Sequence, residues 1–259
     1  MPGAPELVRD LQSRGLLVRY ATNNSTATRT AYVERLAGLG IEASVDELVT
    51  STSASIAYLQ AHLPRVHRVL AVGAPGMLDE LRQAGFRATA AADAAPDRYD
   101  GGPLAEHYDA VIAGLDQEFD YHRLAAAASA IRDGARFIAT NADLRYPTPH
   151  GFLPGAGAMV AAIQAAAGAE PPLVIGKPEP AMFLTALEET DVAAEEALVI
   201  GDNPDADMVA ATRAGIRSVL VLTGVTDAGS AALLDGERRP DAIVAGPAEL
   251  GRLLDAWLR

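Results

Sequence analysis

The chain has 259 residues, 49% hydrophobic and 21% charged, the composition of a folded globular protein and not of a disordered one. Its net charge of −13 and its lack of cysteine exclude nonspecific nucleic-acid or anionic-membrane binding, disulfides, a thiol nucleophile and Cys-ligated metal centres. No apolar run approaches about 18 residues, and Met1-Pro2-Gly3-Ala4-Pro5 lacks the regions of a signal peptide. The expectation is a soluble cytoplasmic protein with neither a membrane nor a nucleic-acid partner.

Short apolar runs alternate with helical patterns along the chain. Helix 6–13 precedes strand 16–21, helix 28–39, strand 48–50, helix 54–61, strand 69–72 and helix 77–84. Strand 110–113, helix 121–133, strand 137–139, helix 158–167, strand 173–175 and helix 181–188 follow. Strand 197–200, helix 205–214, strand 218–222, helix 231–234, strand 242–244 and helix 248–257 complete the series. Several strands read apolar throughout, without alternation, as parallel strands covered on both faces do. The fold class is therefore α/β. Residues 65–171 hold their own strand–helix units and are bordered or interrupted by Gly/Pro-rich stretches at 97–103, 147–154 and 168–172. This is the pattern of a domain at 65–171 inserted into another made of 1–64 and 172–259.

The 21 basic residues comprise 20 Arg and one Lys, Lys177. A compact ammonium differs physically from a forked guanidinium, so a single retained Lys marks a place where the ammonium itself matters. Open parallel sheets bind ligands beyond the carboxyl ends of their strands, and three strand ends carry polar groups. Thr22-Asn23-Asn24-Ser25 follows the first strand and suits an anion at a helix N-terminus, or else helix capping by Ser25 or Thr26. Gly176-Lys177-Pro178-Glu179-Pro180 follows 173–175. Its Lys either neutralises a phosphate or lies on the surface. Gly201-Asp202-Asn203-Pro204-Asp205-Ala206-Asp207 follows 197–200. Three carboxylates in six residues suit a hard cation such as Mg²⁺, while the plainer reading is N-capping.

Weaker candidates are set aside. Gly155-Ala156-Gly157-Ala158 reads as a turn before an anion nest, and the five histidines lack metal-ligand spacing. Ser25 and Ser51 have no evident His–Asp partners, and no Gly-rich phosphate loop ending in Lys-Ser/Thr is present.

The ordered set Thr-Asn-Asn-Ser, Gly-Lys-Pro-Glu-Pro and Gly-Asp-Asn-x-x-x-Asp resembles the haloacid-dehalogenase (HAD) superfamily of phosphatases, most closely the class IIA, NagD-like or 4-nitrophenylphosphatase group. Pro2-Gly3-Ala4, Gly114-Leu115-Asp116, Ala139-Thr140-Asn141 and Pro154-Gly155-Ala156-Gly157 extend the likeness over essentially the whole chain. The resemblance implies a Rossmann-like parallel-sheet core with an inserted C2-type α/β cap at 65–171 and Mg²⁺-dependent phosphomonoester hydrolysis. It implies Thr22, Asn23 and Asn24 at the phosphoryl group, with Asn24 and Asn203 also ordering their loops. It further implies Lys177 as the neutralising cation, Asp202 as metal ligand, and Asp207 as a second ligand of the metal or as a residue just behind it. The cap loop 143–151, with Tyr146 and His150, would meet the leaving group. Similar proteins form cap-mediated dimers, so a homodimer is among the expectations.

The chain departs from the family in one respect. The family's first motif, a strand ending in Asp-x-Asp-Gly with nucleophile and general acid/base, occurs nowhere in the 259 residues. The first core strand is therefore expected to be missing and the start at Met1 to fall downstream of it. The chain as given is expected to turn over little or nothing. Its alternative is a non-catalytic, phosphate-ligand-binding pseudophosphatase.

Overall fold

The computed structural model describes residues 2–94, 104–148 and 150–257. The Gly/Pro-rich stretch at 97–103 lies outside the described residues. The chain forms two compact units. The first comprises 1–21, 30–49 and 177–259; the second comprises 22–29 and 50–176. The sequence suggests divisions near 64 and 171. In the structure the helix Ser51–His62 and the strand Leu173–Val174 both fold with the second unit.

Two short strands, β1 (Tyr20–Thr22) and β2 (Leu48–Thr50), pair where the chain passes between units. The second unit is built on a five-stranded parallel sheet. Its strands are β3 (Arg68–Val72), β4 (Arg87–Ala90), β5 (Ala110–Ala113), β6 (Arg136–Ala139) and, after a separate antiparallel hairpin of β7 (Arg145–Thr148) and β8 (Gly151–Pro154), β9 (Leu173–Val174). The sheet order is β4-β3-β5-β6-β9, with Val69–Val72 in register with Ala110–Ala113 and these with Arg136–Ala139. Every residue of β5 is buried, as expected where helices cover both faces of a parallel sheet. Leu70, Val72, Val111, Phe137 and Ile163 form one core with the alanines Ala126, Ala127 and Ala130. These alanines lie on the helix Tyr121–Arg132, which packs against Ala156–Ala167. Asp120 starts the first of those helices by accepting the Arg123 N–H at 2.9 Å, an N-cap.

In the first unit β10 (Leu198–Gly201), β11 (Arg217–Val221) and β12 (Ala242–Val244) form a parallel sheet in that order. Met208, Ala210, Leu220 and Phe183 cover one face, and Leu250, Leu254 and Leu7 pack on Val219, Val221 and Val244 on the other. Among the described residues β10 pairs on its β11 side alone, and its Ile200 is 43% exposed.

Several sequence expectations shift. The strand expected at 16–21 begins only at Tyr20, because 16–19 have no ladder partner and Leu17 faces solvent. The helix expected at 205–214 is divided into a π-helical turn, Pro204–Met208, and a regular helix, Val209–Ala214. The helix expected at 231–234 lies at Ala228–Ala231, where Asp227 caps the Ser230 N–H. β4, β7 and β8 were not expected. Among the described residues no helix is long and apolar enough to cross a membrane.

Ile112 sits at the centre of the five-stranded sheet, 1% exposed. Ile112→Ala is expected to destabilise the second unit by about 2–5 kcal/mol through lost burial and an unfilled cavity, read as a lower urea midpoint.

Candidate functional site

In the first unit, the turn after β10 and Lys177, where the chain re-enters this unit, meet in one ion pair. Lys177 Nζ lies 2.7 Å from Asp207 Oδ1, and the two side chains are 11% and 10% exposed. The ammonium also donates to the Ala21 carbonyl at 3.2 Å and lies 6.0 Å from the centre of the Phe183 ring, within cation–π range. Asp207 Oδ2 accepts the N–H groups of Asp202 (3.2 Å) and Asn203 (3.1 Å). Asn203 Oδ1 in turn accepts from Asp205 N (3.0 Å) and Ala206 N (3.3 Å). These bonds wind the chain tightly after β10, which accounts for the π-helical turn there.

The three acids of this segment diverge. Asp207 is held by Lys177. Asp205 is exposed and lies 3.8 Å from Arg238. Asp202 is half-buried, its Oδ2 accepting the Val225 N–H at 3.2 Å and its carbonyl accepting the Thr226 hydroxyl at 3.0 Å. Gly224 permits this approach, since a β-carbon there would come within 1.7 Å of Asp202 Oδ2. Among the described residues no three His, Asp or Glu side chains form a ready metal cage. The donor set fits a cation that takes one or two carboxylates and completes its shell with water and phosphate, the habit of Mg²⁺.

Thr22, Asn23 and Asn24 fold with the second unit. Thr22 Oγ1 accepts the Asn24 N–H at 3.2 Å. Asn24 Oδ1 accepts both the Thr26 N–H (2.8 Å) and the Thr26 hydroxyl (2.7 Å), an Asx turn. Ser25 is buried, and its hydroxyl accepts the Leu115 N–H at 3.2 Å. Neither Ser25 nor Thr26 caps the next helix, Arg29–Gly38. Its first N–H goes to Glu80 Oε1, at 2.6 Å. Sequence reading had no means of finding Glu80, which lies 51 residues away. Ser51, Asn141 and Asp143 also grip this loop; the sequence marks Asn141 as part of a motif and Asp143 as the start of the cap loop, but not their bonds to Asn23.

The Gly155 and Gly157 N–H groups are taken by the Leu144 and Asp143 carbonyls, so this segment is a close-packed turn and holds no anion nest. Tyr146 lines a cavity of about 440 Å³ in the second unit, with Leu115, Asp116, Phe119, Leu153 and Met159. Burial raises the Asp116 carboxyl above the usual range, opposed by the Glu118 N–H and the Arg123 guanidinium. His150 is exposed at the hairpin turn.

Two pairings here yield predictions. Lys177→Met strands the Asp207 carboxylate in a nearly dry site and is expected to cost about 3–5 kcal/mol; Lys177→Met/Asp207→Leu is expected to recover much of this in chemical denaturation. Burial raises the Glu80 carboxyl above the ordinary glutamate range, opposed by the Arg29 N–H and guanidinium. Such a group binds its proton more tightly when folded. Its contribution is full below the unfolded pKa and lost as pH rises through the folded one. The stability of the wild type relative to Glu80→Gln is therefore expected to fall between those two values, measured as urea midpoints from acid to neutral pH.

The chain matches two family profiles, a haloacid dehalogenase-like hydrolase over residues 1–87 and a HAD-hydrolase-like one over residues 174–250. A D-glycerol 3-phosphate phosphatase of Mycobacterium tuberculosis is 37% identical over 241 residues, which are 93% of this chain and 63% of that protein. An acid sugar phosphatase of Staphylococcus aureus is 34% identical over 224 residues, 86% of this chain and 80% of that one. A crystal structure of the glycerol phosphate phosphatase of M. tuberculosis, in complex with magnesium, aligns with a TM-score of 0.83 at 34% identity. That alignment covers 98% of this chain and 73% of the other. The chain thus spans 63% of the length of the first of these relatives.

Proposed function

We propose Mg²⁺-dependent hydrolysis of a small phosphomonoester as the reaction that this site serves; the chain belongs to the class IIA haloacid-dehalogenase-like phosphatases. One observation carries the reading: a largely buried Lys177 side chain tied to Asp207 and to the Ala21 carbonyl, with Asp202 on the same turn as Asp207. In this reading the Lys177 ammonium balances charge on the phosphoryl oxygens, and Thr22, Asn23 and Asn24 present donors to them. Asp202 holds the Mg²⁺, with Asp207 and Asn203 shaping the turn behind it. The ion, when bound, supplies positive charge for the equatorial oxygens.

The family's chemistry begins when the first Asp of Asp-x-Asp-Gly attacks phosphorus. The P–O bond to the leaving alcohol breaks, and the second Asp supplies that oxygen with a proton. Water then hydrolyses the aspartyl phosphate. The 259 residues contain no Asp-x-Asp-Gly, so by themselves they bind the phosphoryl group with little or no turnover. The alternative reading is a pseudophosphatase that binds a phosphorylated ligand without cleaving it.

The substrate class is a small phosphorylated metabolite, such as a sugar phosphate, phosphoglycolate or a nucleotide. The relatives named for glycerol 3-phosphate and acid sugars favour a phosphorylated polyol or sugar. Residues 65–171 serve as the cap that selects it, with the Tyr146 cavity and His150 as candidate contacts.

The test is phosphate release from glycerol 3-phosphate and from 4-nitrophenyl phosphate, with Mg²⁺ or EDTA. A chain carrying an Asp-x-Asp-Gly strand ahead of Pro2 is expected to turn over with Mg²⁺ alone, and Asp202→Asn in it to raise the Mg²⁺ requirement at least tenfold or about 1.4 kcal/mol. The 259-residue chain is expected to bind inorganic phosphate with negligible release. Equal rates from the two chains would place the nucleophile elsewhere.

A further inference from the structure

Residues 23–28 have no regular secondary structure, yet a loop that binds a phosphoryl group needs one geometry. Irregular backbone keeps a single shape only where its polar groups are satisfied from outside. Within the second unit, two donors converge on the Asn23 carbonyl: Ser51 Oγ at 2.8 Å and Asn141 Nδ2 at 2.7 Å. Asn141 Oδ1 accepts the Asp143 N–H at 3.1 Å. Asp143 Oδ2 closes the ring by accepting from Asn23 Nδ2 at 3.0 Å.

This ring absorbs two sequence features that otherwise have no role. Asn141 belongs to Ala139-Thr140-Asn141. The Asp143 and Leu144 carbonyls are held by the Gly157 and Gly155 N–H groups of Pro154-Gly155-Ala156-Gly157.

Asp143 is the informative member. An ionised carboxylate accepts and never donates, so it determines that the NH₂ end of the Asn23 amide faces it. Asn23 Oδ1 then lies against Gly176, where a β-carbon would come within 2.7 Å of it. A second negative charge beside a segment that binds a dianion is electrostatically unfavourable. A neutral acceptor could supply loop packing without that cost. What the carboxylate adds is a charge-assisted bond, roughly twice as strong as a neutral one.

We propose that Asp143 is a positioning residue. It locks the Asn23 side-chain amide as a strut, so that the Thr22–Ser25 backbone and hydroxyls are already arranged for the phosphoryl group. Asn23 then serves through its backbone and the shape of the loop. This rests on the phosphatase reading above.

The test uses the 259-residue chain and two variants, Asp143→Ala and Asp143→Asn. Inorganic phosphate binding with Mg²⁺ is measured by calorimetry, amide hydrogen exchange over 23–28 by mass spectrometry, and melting temperature alongside. Asp143→Ala is expected to weaken phosphate binding about tenfold or more and to speed exchange over 23–28, with exchange in the five-stranded sheet unchanged. Asp143→Asn, whose amide oxygen accepts the same bond, is expected to recover the protection and most of the affinity. Wild-type affinity in Asp143→Ala overturns the proposal, whatever happens to its melting temperature. So does wild-type exchange over 23–28. A wild type that binds no phosphate overturns the phosphatase reading itself and, with it, any role for the strut in binding; unchanged exchange in Asp143→Ala then refutes the strut separately.

Discussion

The first unit's polar end depends on the buried contact between Lys177 and Asp207. Removing an ammonium and a carboxylate from water costs several kcal/mol each, and their attraction offsets this only if the remaining donors and acceptors are satisfied. Here they are. The second carboxylate oxygen takes two backbone N–H groups, and the ammonium gives a further N–H to the Ala21 carbonyl. One ion pair therefore ties together Ala21 of β1, Lys177 and the turn after β10. It also explains why a chain that otherwise uses Arg keeps one Lys. A compact ammonium fits between a carboxylate, a carbonyl and the Phe183 ring, where a planar fork would need bidentate partners.

The pair also decides which acid is left for a cation. From the sequence, Asp202, Asp205 and Asp207 look like one cluster whose mutual repulsion calls for a metal. The structure separates them by giving each its own surroundings: the ammonium for Asp207, Arg238 and solvent for Asp205, the Val225 N–H for Asp202. Electrostatic crowding is relieved by direction and pairing, so spacing in sequence overstates the charge density. Asp202, which meets a backbone N–H and no cation of the chain among the described contacts, is the acid that the proposed metal site uses.

Legibility follows from range. β5 and β2 lie at the predicted residues, 110–113 and 48–50, and every residue of both is buried, because burial on both faces requires an unbroken apolar run. The strand ends carrying Thr22, Lys177 and Asp202 could be read for the same reason. β4, Arg-Ala-Thr-Ala, has little apolar bulk and lies at a sheet edge, and the β7–β8 hairpin is interrupted by Pro147 and Pro154. Neither has a local signal. Least legible are the groups whose meaning lies in a distant partner. Glu80 is an ordinary helical glutamate until the Arg29 N–H, 51 residues away, gives it a task. Asn141 was quoted as part of a motif, yet its bond to the Asn23 carbonyl spans 118 residues.

The course of the chain divides the candidate residues between its two units. It passes between units at Ala21/Thr22, Arg29/Thr30, Val49/Thr50 and Gly176/Lys177. Two of these passages fall at candidate residues. The Ala21 carbonyl is gripped by Lys177 in the first unit, while Thr22, one peptide bond on, begins the loop that the second unit holds through Ser51, Asn141, Asp143 and Glu80. Each grip is made within its own unit: the ion pair takes its extra acceptor from Ala21, and the loop is held by side chains of the second unit. Irregular backbone of this kind keeps one shape because its polar groups are satisfied locally.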